Sequence, residues 1–321
     1  MAEKQLSVLI IGAGNKGKFG PHNHADAFVK SGFNLVGFVD PEKFRESGLL
    51  RGVPVYETID AAFNMIGHVD VVSVAVPDDQ HELVLNDLIG RNFLLVFAEK
   101  PFTRSRQSAH SIAFHLAFKG CEAGERGRSI AVNYTRRYSP IFQELRGLIA
   151  DGELGDFLGG SGFYGNGLLH NGSHLIDLFF MLLDEVKVHS PGVAITDVKF
   201  DDPSVYGFLE VRGCPVYLGV IPRPAVNAFE ATLYFTGAVV RVLDIGRKIE
   251  ITRTAARPDY PVERVYFGND SNSWDVRSPM MVAVENIKAH LNNGTPLLCT
   301  SDDAIRVLKI CEAFAPAKAA V

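Results

Sequence analysis

Short apolar runs alternate with helix-like segments along the first 134 residues. The runs are Val8–Ile11, Leu35–Val39, Val53–Tyr56, Val71–Val76, Phe93–Ala98 and Ile130–Tyr134. Val71–Val76 and Phe93–Ala98 are almost wholly apolar, which is typical of strands covered on both faces. Between the runs, apolar residues recur at helical spacing. The alternation predicts an α/β fold, a doubly wound parallel sheet with right-handed helical crossovers.

The pattern changes beyond residue 134. Ser139 and Pro140 open a predicted helix that ends near Ala150, and a second helix is predicted from about Asn171 to Leu183. From about residue 194 strand-like segments dominate, and several alternate apolar and polar residues. Two helices are predicted near the end of the chain. We therefore expect two domains, 1–134 and 135–321, the second an α+β domain with a large, mostly antiparallel sheet.

A glycine-rich turn follows the first predicted strand. Gly12, Gly14 and Gly17 fit the pattern G-x-G-x-x-G, in which glycines let the backbone turn tightly and approach a pyrophosphate. Asp40 closes the second strand and is placed to accept hydrogen bonds from a ribose diol, which favours NAD over NADP. Arg45 and Arg51 could weaken that preference. The alternative interpretation is a glycine turn without a ligand.

Two histidines, His22 and His24, lie in a segment that lengthens this turn before the helix resumes. We expect them to be solvent-facing loop or helix-start residues. A ligand or metal role, and for His24 a contact with cofactor phosphate, are the alternatives.

Composition narrows the function classes. The chain has 321 residues, 47% hydrophobic residues and a formal net charge of −5, which suits a packed protein without a nucleic-acid-binding surface. No apolar run reaches the roughly 18 to 20 residues of a membrane span, and no secretory signal is visible at the polar start. Four cysteines lie far apart without metal-binding spacing. These features predict a cytoplasmic protein that binds neither membrane nor nucleic acid.

Two further segments follow predicted strands, at the edge where a doubly wound sheet binds ligands. One runs from Pro77 to His81, and the other is Glu99-Lys100-Pro101. A lysine just beyond a buried strand and followed by proline indicates a functional cation, and a solvated loop lysine is the alternative.

These motifs, together with Gly172-Ser-His-Leu-Ile-Asp177, resemble the glucose-fructose oxidoreductase / inositol dehydrogenase / MocA (Gfo/Idh/MocA) family. The resemblance implies an NAD(P)-binding Rossmann domain, a second domain for substrate binding and oligomerisation, and hydride transfer at a carbohydrate carbon. It implies that Lys100 and His174 are catalytic. The residues expected to bind the cofactor are Gly12, Gly14, Asn15, Lys16, Gly17, Asp40, Pro77, His81, Glu99 and Lys100.

The chain departs from the family pattern at His170, where the family commonly has an aspartate four residues before the histidine. His170 is expected to contact substrate hydroxyls or relay a proton, and a core or surface histidine is the alternative. Asp177 shares a helix face with His174 and is expected to orient it or to bond nearby backbone. Tyr164 and Arg137 are expected in the substrate cleft, with ordinary packing or a salt bridge as the alternative. No metal is expected, because no third ligand accompanies the histidines.

The predicted function is an NAD-dependent oxidoreductase acting on a sugar, sugar derivative or sugar nucleotide. His174 is expected to act as acid/base, since histidine has a reference pKa of about 6.5, and Lys100 to stabilise the oxyanion; the two roles could be exchanged. Lys100 and His174, from separate domains, are expected to flank one nicotinamide ring. The alternative function is a dinucleotide-binding regulatory protein with reduced or no catalysis. A homodimer or homotetramer is expected from the exposed sheet face.

Overall fold

The computed structural model describes residues 5–18, 20, 23–118, 127–198, 201–223, 225–257, 260–273 and 278–316. The chain divides into two compact units. The first contains Met1–Tyr138 and Arg277–Ile305, and the second contains Ser139–Val276 and Arg306–Val321. This differs from the expected division at 134/135, because a late segment of the chain returns to the first unit.

The first unit is built on a seven-stranded sheet with the order β3-β4-β2-β1-β5-β6-β7. Its strands are β1 (Ser7–Ile11), β2 (Asn34–Val39), β3 (Leu49–Leu50), β4 (Val53–Tyr56), β5 (Val69–Val74), β6 (Phe93–Ala98) and β7 (Ser129–Val132). All neighbouring pairs are parallel except β3 with β4. The predicted doubly wound sheet is confirmed.

Helices connect these strands, and local sequence sets their ends. They are α1 (His24–Lys30), α2 (Pro41–Ser47), α3 (Ile59–Ile66), α4 (His81–Asp87) and α5 (Arg106–Phe118), followed by a 3-10 turn at Thr135–Tyr138. The Thr58 side chain accepts the Ala61 N–H and caps α3. Gly48 ends α2 with φ of 65°, a left-handed conformation that glycine adopts without strain.

The second unit holds a nine-stranded sheet with the order β10-β11-β12-β8-β13-β14-β15-β16, and β9 pairs with β11. Its strands are β8 (Phe157–Tyr164), β9 (Val186–Val188), β10 (Val193–Ile195), β11 (Ser204–Val211), β12 (Cys214–Val220), β13 (Phe229–Phe235), β14 (Ala238–Leu243), β15 (Lys248–Arg257) and β16 (Tyr260–Ser273). The sheet is antiparallel except between β8 and β12. The unit contains α6 (Pro140–Ala150) and α7 (Ser173–Leu183), and a π-helical turn, Leu168–Gly172, leads into α7.

Strand β8 lies at the centre of the second sheet, and the sequence pattern did not predict it. Its sequence, FLGGSGFY, has too few side chains to produce a strand signal. A Cβ on Gly160 would lie 2.5 Å from the Thr232 carbonyl oxygen, and one on Gly162 would lie 3.1 Å from Leu175 Cδ1. Glycine therefore allows close approach of β13 and α7, for the same reason that it removes the hydrophobic pattern.

The two faces of the second sheet differ. One face contributes buried residues to the core, including Leu209, Val216, Leu218, Leu233, Val240 and Ile249. Strand register places a row of less buried residues across the other face: Phe208, Tyr217, Ser161, Thr232, Arg241 and Glu250. This second face is aromatic at one end and charged at the other.

The chain ends with α8 (Ser278–Asn293) and α9 (Ser301–Phe314). Helix α8 belongs to the first unit and forms hydrogen bonds with its earlier residues. Lys288 Nζ donates to the Ser31 carbonyl oxygen at 3.2 Å, and His290 Nε2 lies 2.8 Å from Ser129 Oγ. The Val132 N–H donates to the Cys299 carbonyl at 3.2 Å, so the linker to α9 extends beside β7. Within the described ranges, no helix combines the length and apolarity needed to cross a bilayer.

Candidate functional site

The three glycines of the turn after β1 have different environments. Gly12 has φ of 93°, and a Cβ there would lie 2.9 Å from the Ala75 carbonyl oxygen. A Cβ on Gly17 would lie 1.7 Å from the Gly12 carbonyl oxygen, whereas one on Gly14 would have no atom within 4 Å. Gly12 and Gly17 are therefore required by the fold, and Gly14 leaves open space beside the backbone.

Helix α1 continues a helical turn that starts at Gly14. The Lys18 N–H donates to the Gly14 carbonyl at 3.2 Å, and the His24 N–H donates to the Lys16 carbonyl at 3.0 Å. These bonds connect the turn after β1 directly to the start of α1. His22 lies outside the described residues.

The start of this turn offers free backbone donors. Among described residues, no acceptor takes the N–H groups of Asn15, Lys16 or Gly17. The side chain of Lys16 adds an exposed positive charge. Adjacent unpaired N–H groups next to a cation suit a bound anion, so the turn fits the pyrophosphate of a dinucleotide.

Asp40 lies beside the turn and joins it to the end of β2. Its Oδ2 accepts the Ala13 N–H at 2.9 Å, and its Oδ1 accepts the Glu42 and Lys43 N–H groups at 3.0 Å. Asp40 is therefore the N-cap of α2 as well as the predicted ribose ligand. The capping role was not predicted from sequence, although the following Pro41 is typical of a first helical position.

His24 is buried, so the prediction that it faces solvent was wrong; its predicted place at the helix start is confirmed. Its ring has no solvent exposure. Nδ1 lies 2.6 Å from Ser73 Oγ in β5, and Nε2 lies 3.0 Å from Glu99 Oε1. Asn133 Nδ2 also donates to Glu99 Oε1, at 2.8 Å. Four side chains from separate elements thus form one buried polar network at the carboxyl end of the sheet.

Glu99 is the charged centre of this network. Burial raises its pKa, but the His24 hydrogen bond, followed by the charges of His24 and Lys16 and the Asn133 hydrogen bond, lowers the pKa to about 2. The carboxylate is therefore ionised at neutral pH. Among described residues, no donor reaches the buried Oδ1 of Asn133. An acceptor in that state fits a donor supplied by a ligand.

His81 was predicted to bind the cofactor, but its ring is fully buried and bonds to main chain. Nδ1 lies 2.7 Å from the Pro101 carbonyl oxygen and Nε2 lies 3.0 Å from the Val76 carbonyl oxygen. Both partners are main-chain carbonyl oxygens. His81 therefore joins the segment after β5 to the segment after β6. Pro77 is exposed and lies in the turn between Val76 and His81. Its carbonyl accepts the Gln80 N–H at 2.9 Å.

In the second unit, an aspartate that sequence reasoning missed caps the π-helical turn. Asp202 Oδ1 accepts the Leu169 N–H at 2.9 Å, and Oδ2 accepts the His170 N–H at 2.9 Å. The preceding loop contains Asn166, with φ of 70°, and its N–H donates to Asp197 Oδ2. No local pattern connects Asp202 to a turn 32 residues earlier. Short π-helical turns of this type occur often at functional sites.

His170, His174 and Asp177 lie on one continuous helical segment. His170 belongs to the π-helical turn and is half-buried, and His174 follows in the first turn of α7. The His174 ring meets the Phe229 ring edge-on, with centroids 6.3 Å apart. Asp177 is buried one turn later. The expected shared helix face of His174 and Asp177 follows from their spacing within α7, and their roles toward a substrate remain predictions.

Two residues expected to contact substrate have structural partners instead. Tyr164 is fully buried, its hydroxyl donates to the Val205 carbonyl at 2.8 Å, and it accepts the Val205 N–H at 2.7 Å. Burial raises the pKa of Tyr164 well above its usual value. Arg137 is largely buried and pairs with Asp303, with Nη1 3.0 Å from Oδ1. For both residues, the packing or salt-bridge alternative describes the observed geometry.

Comparison with known proteins agrees with this class of site. Residues 6–124 match the model of an oxidoreductase family with an NAD-binding Rossmann fold. An inositol 2-dehydrogenase from Corynebacterium glutamicum is 28% identical over 159 residues, which cover 48% of this chain and 44% of that enzyme. The match therefore spans less than half of that curated relative.

Solved structures share the whole fold at low identity. A UDP-N-acetylglucosamine 3-dehydrogenase from Acidithiobacillus ferrooxidans matches with a TM-score of 0.73 and 17% identity, over 97% of each chain. A super-repressor mutant of Gal80p from Saccharomyces cerevisiae matches with a TM-score of 0.70 and 13% identity, over 97% of this chain and 95% of that one.

The first unit therefore has a Rossmann fold, and it matches the model of an NAD-binding oxidoreductase family. That model is the one of the Gfo/Idh/MocA oxidoreductase family, and its match to this chain is confined to residues 6–124.

Proposed function

We propose that the protein transfers a hydride between NAD and a hydroxyl or keto carbon of a sugar, sugar derivative or sugar nucleotide. The observation that carries this proposal is the carboxyl edge of the first sheet. The N–H groups of the glycine turn that have no acceptor among described residues belong to the same unit as Lys100. Lys100 directly follows Glu99, whose carboxylate is ionised at neutral pH. An inositol dehydrogenase relative and a sugar-nucleotide dehydrogenase of the same fold support a carbohydrate substrate.

The first unit fits a dinucleotide. The N–H groups of Asn15, Lys16 and Gly17 would hold the pyrophosphate, and Asp40 would hold the adenine ribose. NAD is proposed over NADP because a 2′-phosphate would meet the Asp40 carboxylate. The bound nicotinamide supplies the hydride acceptor or donor. The buried acceptor of Asn133 is suited to a ligand N–H or O–H group.

The protein must manage the proton and the charge on the substrate oxygen. We assign the proton transfer to His174 and the stabilisation of negative charge to Lys100, whose ammonium suits that role. Asp177 orients His174, and His170 contacts substrate hydroxyls. The reverse division, with Lys100 as base, requires a lowered lysine pKa. The proposal includes the joint action of Lys100 and His174 on one substrate.

Two measurements test the proposal in sequence. Fluorescence titration of the full chain with NADH and NADPH tests cofactor binding, and a panel of free sugars, polyols and sugar nucleotides tests turnover. Lys100→Ala and His174→Ala should each abolish turnover while NADH remains bound to His174→Ala. His189→Ala is the matched control and should retain activity. Full turnover by the Lys100→Ala, His174→Ala double variant would refute the site assignment.

The second candidate is a dinucleotide-binding regulatory protein without catalysis. His170 stands where the family commonly has an aspartate, and the fold also matches a repressor-type protein, Gal80p. A regulatory protein of this kind binds NADH but neither oxidises nor reduces any compound of the panel. Turnover lost with His174→Ala would exclude this candidate.

We further propose a homodimer or homotetramer that pairs through the partly exposed face of the second sheet. Phe208 is 50% exposed on that face and its ring lies 5.3 Å from Tyr217, in a row that ends at Arg241 and Glu250. A two-fold pairing allows such a surface to meet itself. Light scattering should show that Phe208→Glu reduces the oligomer mass, and Phe114→Glu in the first unit should leave it unchanged.

A cytoplasmic location is proposed from the free thiols of Cys214, Cys299 and Cys311.

A further inference from the structure

Two buried histidines from different helices bond to the segment that contains Lys100. His24 lies in α1 and His81 opens α4, and neither ring is exposed. Each uses one ring nitrogen on the Glu99–Pro101 segment and the other on β5 or the residues just after it. The two imidazoles therefore form parallel links between neighbouring strand ends.

The first link precedes Lys100. His24 Nε2 bonds to the Glu99 carboxylate at 3.0 Å, while Nδ1 bonds to Ser73 Oγ in β5 at 2.6 Å. Asn133 adds a second donor to the same carboxylate oxygen, at 2.8 Å. A carboxylate with two side-chain donors in a buried position has little freedom to change rotamer.

The second link follows Lys100. His81 Nδ1 bonds to the Pro101 carbonyl at 2.7 Å, and Nε2 bonds to the Val76 carbonyl at 3.0 Å. A main-chain carbonyl held by a buried donor restricts the backbone itself. Lys100 thus lies between one residue held by its side chain and another held by its backbone.

We propose that His24 and His81 are positioning residues, which set the place of the Lys100 ammonium through their bonds to the Glu99 carboxylate and the Pro101 carbonyl. The inference rests on the proposed function only for what Lys100 does there. It predicts that one particular nitrogen of each histidine matters for Lys100. A histidine that merely fills the core would make no such distinction between its two nitrogens.

Amide substitutions separate the two nitrogens. The amide of asparagine lies near the position of Nδ1, and that of glutamine lies near Nε2. His24→Gln should therefore keep the bond to Glu99, and His24→Asn should lose it. For His81 the order reverses, because Nδ1 faces Pro101: His81→Asn should keep the bond and His81→Gln should lose it.

The readout is the amine reactivity of Lys100, which requires no substrate. Trace acetylation of the full chain, followed by mass spectrometry, gives the ratio of modified Lys100 to modified Lys187, a lysine 61% exposed in the second unit. The pH profile of this ratio is recorded for the wild type and the four variants. NADH affinity is measured on the same samples, and melting temperatures monitor the fold.

Loss of one such hydrogen bond should change the ratio about fivefold or more. We expect that change in His24→Asn and His81→Gln, and values within about twofold of the wild type in His24→Gln and His81→Asn. Equal ratios in all five proteins, or equal changes in both variants of a histidine, would overturn the inference. If the His24 variants fail to fold, Glu99→Ala, which removes the acceptor of His24 Nε2, should change the ratio. An unchanged ratio in Glu99→Ala would count against the His24 link.

The two proposals fail in different ways. If the wild type binds no NADH, the proposed function is refuted while the acetylation pattern still decides the positioning role. If NADH binds and the acetylation pattern shows no difference between nitrogens, the positioning role alone is refuted.

Discussion

Replacement of Glu99 by glutamine should destabilise the first unit in a pH-dependent way. The substitution keeps the side-chain volume and removes the negative charge that faces His24 and Asn133. The folded-state pKa of Glu99 is about 2, against an ordinary value of 4.5. This difference corresponds to about 3 kcal/mol of folding free energy at neutral pH.

The sign of the pH dependence follows from the lowered pKa. Stability contributed by an ionised Glu99 is fully present above pH 4.5 and is lost as pH falls toward the folded-state value of about 2. By pH 3.5 the wild type should have lost about 1 kcal/mol of this contribution. Glu99→Gln has no carboxylate to titrate, so the gap between the two proteins should narrow by that amount.

The assay is urea unfolding of the full chain, followed by circular dichroism at pH 7, 5, 4 and 3.5. At each pH the free energy of unfolding of Glu99→Gln is compared with that of the wild type. Glu46→Gln is the control, because Glu46 is an exposed partner of Lys43 and its loss should have a far smaller effect. Equal stability of Glu99→Gln and wild type at pH 7 would refute the reasoning. A gap that stays constant down to pH 3.5 would refute it as well.

Substitutions at three further positions test the site and the fold that supports it. Gly14→Ala should leave the melting temperature unchanged, since no described atom lies within 4 Å of the added Cβ, yet weaken NADH binding about tenfold or more in a fluorescence titration; unchanged affinity would argue against a pyrophosphate there. Tyr164→Phe removes the hydroxyl that serves both backbone groups of Val205 and should lower the free energy of unfolding by about 1–3 kcal/mol in urea; a smaller loss would mean that water replaces the hydroxyl. Asp40→Ala removes the cap of α2 and should cost about 1 kcal/mol of stability. Asp40→Asn should raise the affinity for NADPH relative to NADH. An unchanged ratio of these two affinities would contradict the assignment of Asp40 to the ribose.

Local pattern predicted the parallel sheet of the first unit. The buried strands are largely apolar runs, of which Phe93–Ala98 is wholly apolar, and the glycine turn after β1 carries its own signature. Parallel strand pairing follows from the strand–helix alternation, because helical crossovers return each strand in the same direction. The carboxyl-edge position of Glu99–Pro101 follows in turn. The same reasoning missed β8, whose glycines are required by neighbouring atoms that the local sequence does not reveal.

Tertiary structure decided the environment of the polar side chains. His24 and Glu99 are 75 residues apart in sequence, and no periodicity indicates that one will meet the other. Tyrosine and arginine are residue types that suit a substrate cleft. In the folded chain, however, the Tyr164 hydroxyl bonds to the Val205 backbone and the Arg137 guanidinium pairs with Asp303. The return of 277–305 to the first unit likewise depends on contacts such as that between Lys288 and Ser31.

By itself, the sequence of this protein determined two things: the strand–helix alternation of the first unit and the positions of the motifs along it. These depend on backbone propensity and hydrophobic period, which neighbouring residues share. Only the folded chain decided which polar groups are buried, which nitrogen of His24 or His81 faces which acceptor, and which carboxylate stays ionised. Those properties arise from distance, desolvation and hydrogen-bond geometry between segments that are remote in the chain.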